Sequence, residues 1–178
     1  PAGAETPDIL SRIAVVPQKA VLFGGTLRDN LTFGKADATD SEIHAALRVA
    51  QAEEIALEKG GLDGEIEALG ANLSGGQKQR LTIARALVGN PEILILDDSA
   101  SALDFATDAA LRSAIREASK DMTVFIVSQR AASVMYADKI IVVDDGETVG
   151  IGTHDTLLKE CEVYREIYDS QFRREAAK

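Results

Sequence analysis

Apolar positions along this chain fall into two regimes, short unbroken runs and longer stretches with helical spacing. Ile13-Ala14-Val15-Val16 is a β-rich run stopped by Pro17, and Gln18 opens a loop that continues through Phe23-Gly24-Gly25. From Asp40 to about Lys59, the residues Ile43, Ala46, Leu47, Ala50, Ile55 and Leu57 share one face. That spacing predicts one amphipathic helix capped by Asp40 or Ser41 and stopped by Gly60-Gly61. A second helix is predicted from Gly75 to Val88, closed by Gly89-Asn90-Pro91. Ile93-Leu94-Ile95-Leu96 then leads into Asp97-Asp98. Four apolar residues ending in two acids predict a buried parallel strand that delivers carboxylates to its C-terminal rim, where ligands bind in open α/β sheets.

Further on, Ala110, Leu111, Ala114 and Ile115 give Thr107 to Lys120 helical spacing, and Val124-Phe125-Ile126-Val127 is another buried-strand run. Lys139 to Val143 and Thr148 to Ile151 flank Asp144-Asp145-Gly146-Glu147, which predicts a hairpin turn at a sheet edge. Thr153 caps a helix through Leu157 and Leu158, and Tyr164 to Phe172 continues as a helical tail. Strand and helix alternate, so the fold class is α/β with a parallel sheet. The stretch between the first two strands is a mostly helical insert.

Composition narrows the class. With 178 residues, 46% hydrophobic and 27% charged, the chain has the make-up of a globular domain rather than a disordered one. No apolar run approaches the roughly 18 to 20 residues of a spanning helix, and Pro1 to Asp8 lack a signal-peptide pattern. Nineteen basic against 29 acidic residues leave a net charge of −10, which opposes attraction to nucleic acid or anionic lipid. Cys161 is the only cysteine, so no intramolecular disulfide or zinc cluster exists, in keeping with a reducing cytosolic setting.

The chemistry gathers at Leu73-Ser74-Gly75-Gly76-Gln77. Ser74 can cap the following helix and leave the amides of Gly75, Gly76 and Gln77 at its positive end, where a backbone without side chains can approach phosphate oxygens. On its own, Ser-Gly-Gly before a helix is equally a cap and a tight turn. Its position ahead of the acid-tipped strand favours the phosphate reading.

Taken together, these segments resemble the nucleotide-binding domain of an ATP-binding cassette (ABC) transporter, most like the exporter type, from about Ile13 to Phe172. The resemblance rests on Leu73 to Gln77, the Q-loop region Val15-Val16-Pro17-Gln18, the Walker B strand Ile93 to Asp97, the D-loop Ser101-Ala102-Leu103-Asp104, and the switch region around Ser128-Gln129-Arg130. Val21-Leu22-Phe23-Gly24-Gly25-Thr26-Leu27-Arg28-Asp29-Asn30-Leu31 and Gly152 to Leu158 carry the exporter flavour.

The resemblance implies a P-loop NTPase-like fold with a helical subdomain at about 34–89, a catalytic core at about 12–33 and 90–152, and a C-terminal helical tail at 153–178. It implies ATP and Mg²⁺ as ligands. Ser74, Gly75, Gly76 and Gln77 would close over the γ-phosphate of ATP held by an opposite domain, and Asp104 would help complete that site. Asp97 would hold Mg²⁺ through water, and Gln18 would contact Mg²⁺ or the attacking water. Asp98 stands where the family's glutamate positions that water, and Gln129 stands where a histidine contacts the γ-phosphate. Aspartate is one methylene shorter, and a displacement of about 1 Å in a catalytic group costs on the order of 100-fold in rate. Glutamine donates only a neutral hydrogen bond. His44 and His154 read as solvated surface residues, so neither replaces that histidine.

Two further departures stand out. Ala68, within Glu65 to Gly70, falls where exporters carry a glutamate that touches the transmembrane partner. A Gly-x-x-x-x-Gly-Lys-Ser/Thr loop is absent: Gly34-Lys35 is followed by Ala36. The expectation is a domain lacking its N-terminal strands and Walker A loop, with an apolar sheet edge beside the Walker B strand open to self-association.

The expected partners are transmembrane domains of the same or an associated chain and a second nucleotide-binding domain, at the cytoplasmic membrane face, with no nucleic acid. The expected function is the ATPase domain of an exporter, the degenerate-site half of a heterodimer. A slowly hydrolysing homodimer and a soluble ABC-type clamp are the alternatives. The chain alone is expected to bind ATP weakly or not at all.

Overall fold

The computed structural model describes residues 6–99 and 101–175. The chain divides into two compact units, one ending at Val127 and the other starting at Ser128.

In the first unit, helix α1 (Thr6–Ser11) precedes strand β1 (Ile13–Val16), and β2 (Gly25–Thr26) leads into α2 (Leu27–Leu31). Next come α3 (Asp40–Val49), α4 (Glu53–Glu58), β3 (Glu65–Ile66), a 3₁₀ turn at Ala68–Gly70, and α5 (Gly75–Val88). Strand β4 (Ile93–Asp97), α6 (Phe105–Ala118), a 3₁₀ turn at Ser119–Asp121 and β5 (Thr123–Val127) complete the unit. The second unit holds α7 (Ala131–Val134), the hairpin β6 (Ile140–Asp144) and β7 (Glu147–Gly152), α8 (His154–Glu160) and α9 (Glu162–Glu175). The last three positions of the expected tail lie outside the described residues.

The central sheet has the order β1-β4-β5, all parallel, with Val16 opposite Leu96 and Asp97 opposite Val127. One face, built on Val16, Leu94 and Leu96, joins Leu27, Leu31, Ile43, Leu47, Ile55, Leu81, Ile83, Leu111 and Ile115 in a single core. The parallel α/β reading therefore holds, but the expected edge does not. β4 is the middle strand, paired on both sides, so the sheet's open edges belong to β1 and β5. The other face exposes Val15, Phe125 and Val127.

The predicted helix from Asp40 to Lys59 is two helices. Thr39 supplies the cap, not Asp40 or Ser41. Its hydroxyl accepts from the Glu42 amide while the Glu42 carboxylate accepts from the Thr39 amide, a reciprocal pair that needs Thr and Glu three apart. The break comes at Gln51, in left-handed backbone at φ 55°. There the Ala52 amide reaches the Leu47 carbonyl at 2.8 Å and the Gln51 amide the Arg48 carbonyl at 3.1 Å, closing α3 as a Schellman turn. Arg80 of α5 donates to the Gln51 carbonyl and so supports the kink. Gly60 and Gly61, at φ 84° and 103°, stop α4 as expected.

In the second unit, Asp145 and Gly146 both have positive φ, 46° and 82°, the geometry of a two-residue hairpin loop. Ile140, Val142, Leu157, Cys161 and Tyr164 form this unit's own core. His154 is not simply solvated. It is half-buried, its Nδ1 lies 2.9 Å from the Tyr164 hydroxyl, and its ring packs against Tyr164 and Tyr168. His44 is part-exposed, 3.6 Å from Glu53.

Candidate functional site

Parallel strands in register bring the chain's acid and amide groups to one rim. Residues two beyond the Val16–Leu96 pair are Gln18 and Asp98, and the Gln18 Nε2 donates to Asp98 Oδ2 at 2.9 Å. Asp98 sits at φ 44°, where its amide donates to the Val127 carbonyl at 2.8 Å and its own carbonyl accepts from the Ser101 amide and hydroxyl. Asp97 is exposed, and its carboxylate has no hydrogen-bond partner among the described residues. Among the described residues no group of three or more His, Cys, Asp or Glu side chains is placed to hold a metal ion by itself. Asp97 and Gln18 could therefore hold Mg²⁺ only together with water and phosphate oxygens, which is the usual way this cation is bound. The residues present fit that role.

The second half of the site is the start of α5. Ser74 Oγ accepts from the Gln77 amide, and the Gln77 side chain accepts from the Ser74 amide at 2.9 Å while donating to Glu58 at 3.3 Å. Gln77 thus completes a capping box, and its amide is committed to Ser74 rather than open to a ligand. The amides of Gly75 and Gly76 remain at the positive helix end. A Cβ added at Gly75 would meet nothing within 4 Å, so that side is open to an incoming anion. At Gly76 a Cβ would lie 3.4 Å from the Ala102 carbonyl and 3.5 Å from Leu103. The start of α5 therefore lies against the loop before Asp104. Asp104 caps α6, and bonds from the Thr107 amide and hydroxyl hold its carboxyl below its ordinary range.

Gln129 lies in the second unit. Its carbonyl accepts from Gln171 Nε2 at 2.8 Å, and Gln171 Oε1 accepts from the Ala131 amide at 2.9 Å, so one side chain of α9 pins the backbone on both sides of Arg130. Back in the first unit, β2 pairs antiparallel with β3, and Gly24 lies against Ala68, which joins the far end of the Gln18 loop to the segment 65–70.

Three site-shaping residues escape hydrophobic spacing: Asn30, Gln79 and Arg85. Asn30 and Gln79 are 1% and 2% exposed. Gln79 donates to the Pro17 carbonyl at 3.3 Å, and Arg85 holds the Val21 and Asn30 carbonyls. The signal in the sequence is a polar residue on a core-facing turn, Asn30 between Leu27 and Leu31, and Gln79 one turn before Ile83.

A parallel sheet with acids on its rim and an open, glycine-led helix start defines a P-loop NTPase-like ATP-binding domain of the ABC type. The family described as ABC transporter matches residues 3–101, and the chain belongs to that family. It is 46% identical over 167 residues to an uncharacterized ABC transporter ATP-binding protein of Bacillus subtilis, YfiB, covering 93% of this chain and 29% of that protein. It is 47% identical over 160 residues to a probable multidrug resistance ABC transporter ATP-binding/permease protein of the same organism, YheI, covering 89% of this chain and 27% of that one. The solved structure of a bacterial Atm1-family ABC exporter with ATP bound matches with a TM-score of 0.89 at 33% identity, over 100% of this chain and 31% of the exporter chain. The chain thus spans less than a third of these relatives. Among the described residues no helix is long and apolar enough to cross a membrane.

Proposed function

We propose that this chain is the ATP-binding part of an ABC exporter subunit, coupling ATP binding and hydrolysis to transport by transmembrane domains at the cytoplasmic membrane face. We place its helical subdomain at about 34–89. The observation that carries the reading is the pairing of two devices in one unit: the Gln18–Asp98 contact on the sheet rim and the open Gly75 amide at the start of α5.

Each residue's role follows from its chemistry. Ser74, Gly75 and Gly76 direct a hydroxyl and backbone amides at a γ-phosphate held by a second nucleotide-binding domain, and Gln77 keeps that helix start rigid. Asp97, with Gln18, offers oxygen ligands to a hard cation. Mg²⁺, when bound, neutralises charge on the phosphate oxygens. Asp98 orients a water through a carboxylate shorter than glutamate, and Gln129 gives a neutral hydrogen bond where a cation would stabilise more charge. Both features favour a degenerate, slow site in this subunit, with the Ser74 loop and Asp104 completing a competent site on a different partner.

The test is MgATP turnover by the complete transporter in lipid nanodiscs, with calorimetry on this chain alone. Turnover that collapses with Ser74→Arg supports the reading, and turnover indifferent to that change overturns it. The chain alone contains no Gly-x-x-x-x-Gly-Lys-Ser/Thr loop and is expected to show weak or no MgATP binding. Micromolar affinity would contradict that expectation.

A further inference from the structure

The loop between Gln18 and Thr26 has little secondary structure of its own, so its backbone must find partners elsewhere. Two side chains supply them, the buried Asn30 and the half-buried Arg85. Arg85 of α5 donates through Nε to the Asn30 carbonyl at 2.7 Å, through Nη2 to Asn30 Oδ1 at 2.9 Å, and through Nη1 to the Val21 carbonyl at 2.9 Å. Asn30 Oδ1 also accepts from the Phe23 amide at 2.9 Å, while its Nδ2 donates to the carbonyls of Phe23 at 2.9 Å and Thr26 at 3.1 Å. The guanidinium carbon lies 5.3 Å from the centroid of the Phe23 ring, and that ring packs at 5.0 Å against Phe33. Gln79, on the same helix, donates to the Pro17 carbonyl at the other end of the loop. Both ends of the loop are therefore held by α5.

Such a contact cannot slide. Moving the loop along α5 would orphan a buried amide and a guanidinium whose burial already pulls its pKa down. The loop begins at the Gln18–Asp98 contact and the helix begins at Ser74. We propose that Arg85 and Asn30 are positioning residues that clasp the Gln18 loop to α5, so that movement of Gln18 at Asp98 and presentation of the Gly75 amide are one rigid-body event. The planar guanidinium is essential, because a lysine ammonium offers a point charge instead of the fork that reaches three acceptors. In its functional consequence the inference rests on the ATPase reading above, but the clasp itself can be measured separately.

The experiment uses the complete transporter in lipid nanodiscs with Arg85→Lys, Asn30→Ala and the double variant. Thermal melting checks that each is folded, and Asn30→Ala serves where Arg85→Lys is not. Hydrogen exchange is followed in peptides covering 17–26 and 75–88, together with kcat and KM for MgATP. Each single variant is expected to speed exchange of the loop by about tenfold while α5 keeps its protection, to lower kcat by about tenfold with KM changed less than about twofold, and the double variant to be no worse than either single. Loop protection that stays at the wild-type level in a folded variant overturns the clasp, as does a double variant whose effects multiply. A wild-type transporter that does not hydrolyse ATP overturns the functional reading instead, and loop exchange then decides the clasp alone.

Discussion

Gln18 donates its side-chain amide to Asp98 at 2.9 Å across 80 residues of sequence, making one contact of the loop after β1 and the tip of β4. The bond follows from parallel pairing in register, which sets the residues beyond Val16 and Leu96 side by side. An amide here keeps the carboxylate oriented without adding charge. Gln18→Glu would set two like charges together. Turnover of the complete transporter is expected to fall by about 10-fold or more, since a positioned general base contributes roughly 100-fold or more to such rates. Unchanged kcat would show that the contact is incidental.

Asp98 and Gln129 are expected to limit the rate together. Asp98→Glu with Gln129→His should raise ATP turnover, by up to about 100-fold if the misplacement of the carboxylate by about 1 Å is the main defect. Measurement in the transporter with its partner subunit separates the readings. If both wild-type sites already turn over equally, the asymmetric arrangement is wrong.

Gly75 offers a separation of folding from binding. A Cβ there meets no atom within 4 Å, and a carboxylate in the first turn of a helix is favourable by about 0.3–1 kcal/mol. Gly75→Asp should leave the melting temperature unchanged or slightly raised, yet abolish ATP-driven association of two nucleotide-binding domains by repelling phosphate. Retained association at wild-type ATP concentrations would remove Gly75 from the binding surface.

Glu42 sets an acid response. The Lys35 ammonium, followed by the Thr39 amide and hydroxyl, lowers its pKa from an ordinary 4.5 to about 2. A carboxylate depressed in the folded state stabilises fully above its unfolded value, and that contribution is lost as pH falls through the folded one. Stability measured by urea unfolding should therefore drop between pH 4.5 and about 2, and Glu42→Gln should flatten that slope. An identical slope in the variant would place the acid response elsewhere.

Leu94 is fully buried in the middle strand. Truncation to alanine removes apolar burial and leaves a cavity, a cost of about 2–5 kcal/mol. Chemical denaturation should register it, and a loss under about 1 kcal/mol would mean that the core collapses into the space.

Local chemistry was enough to specify much of this protein from its sequence. Apolar runs ended by Pro17 and Asp97 define β1 and β4, Ser74 ahead of Gly75 defines the start of α5, and Asp145-Gly146 defines the hairpin turn, because each depends on neighbours a few residues away. The kink at Gln51 was hidden, since a non-glycine residue takes left-handed backbone there with support from Arg80 on another helix. The place of β4 between β1 and β5, the Gln18–Asp98 bond and the Arg85–Asn30 contact were likewise decided only in three dimensions. Strand order and buried polar pairing depend on which distant surfaces meet, and hydrophobic periodicity carries no record of that choice.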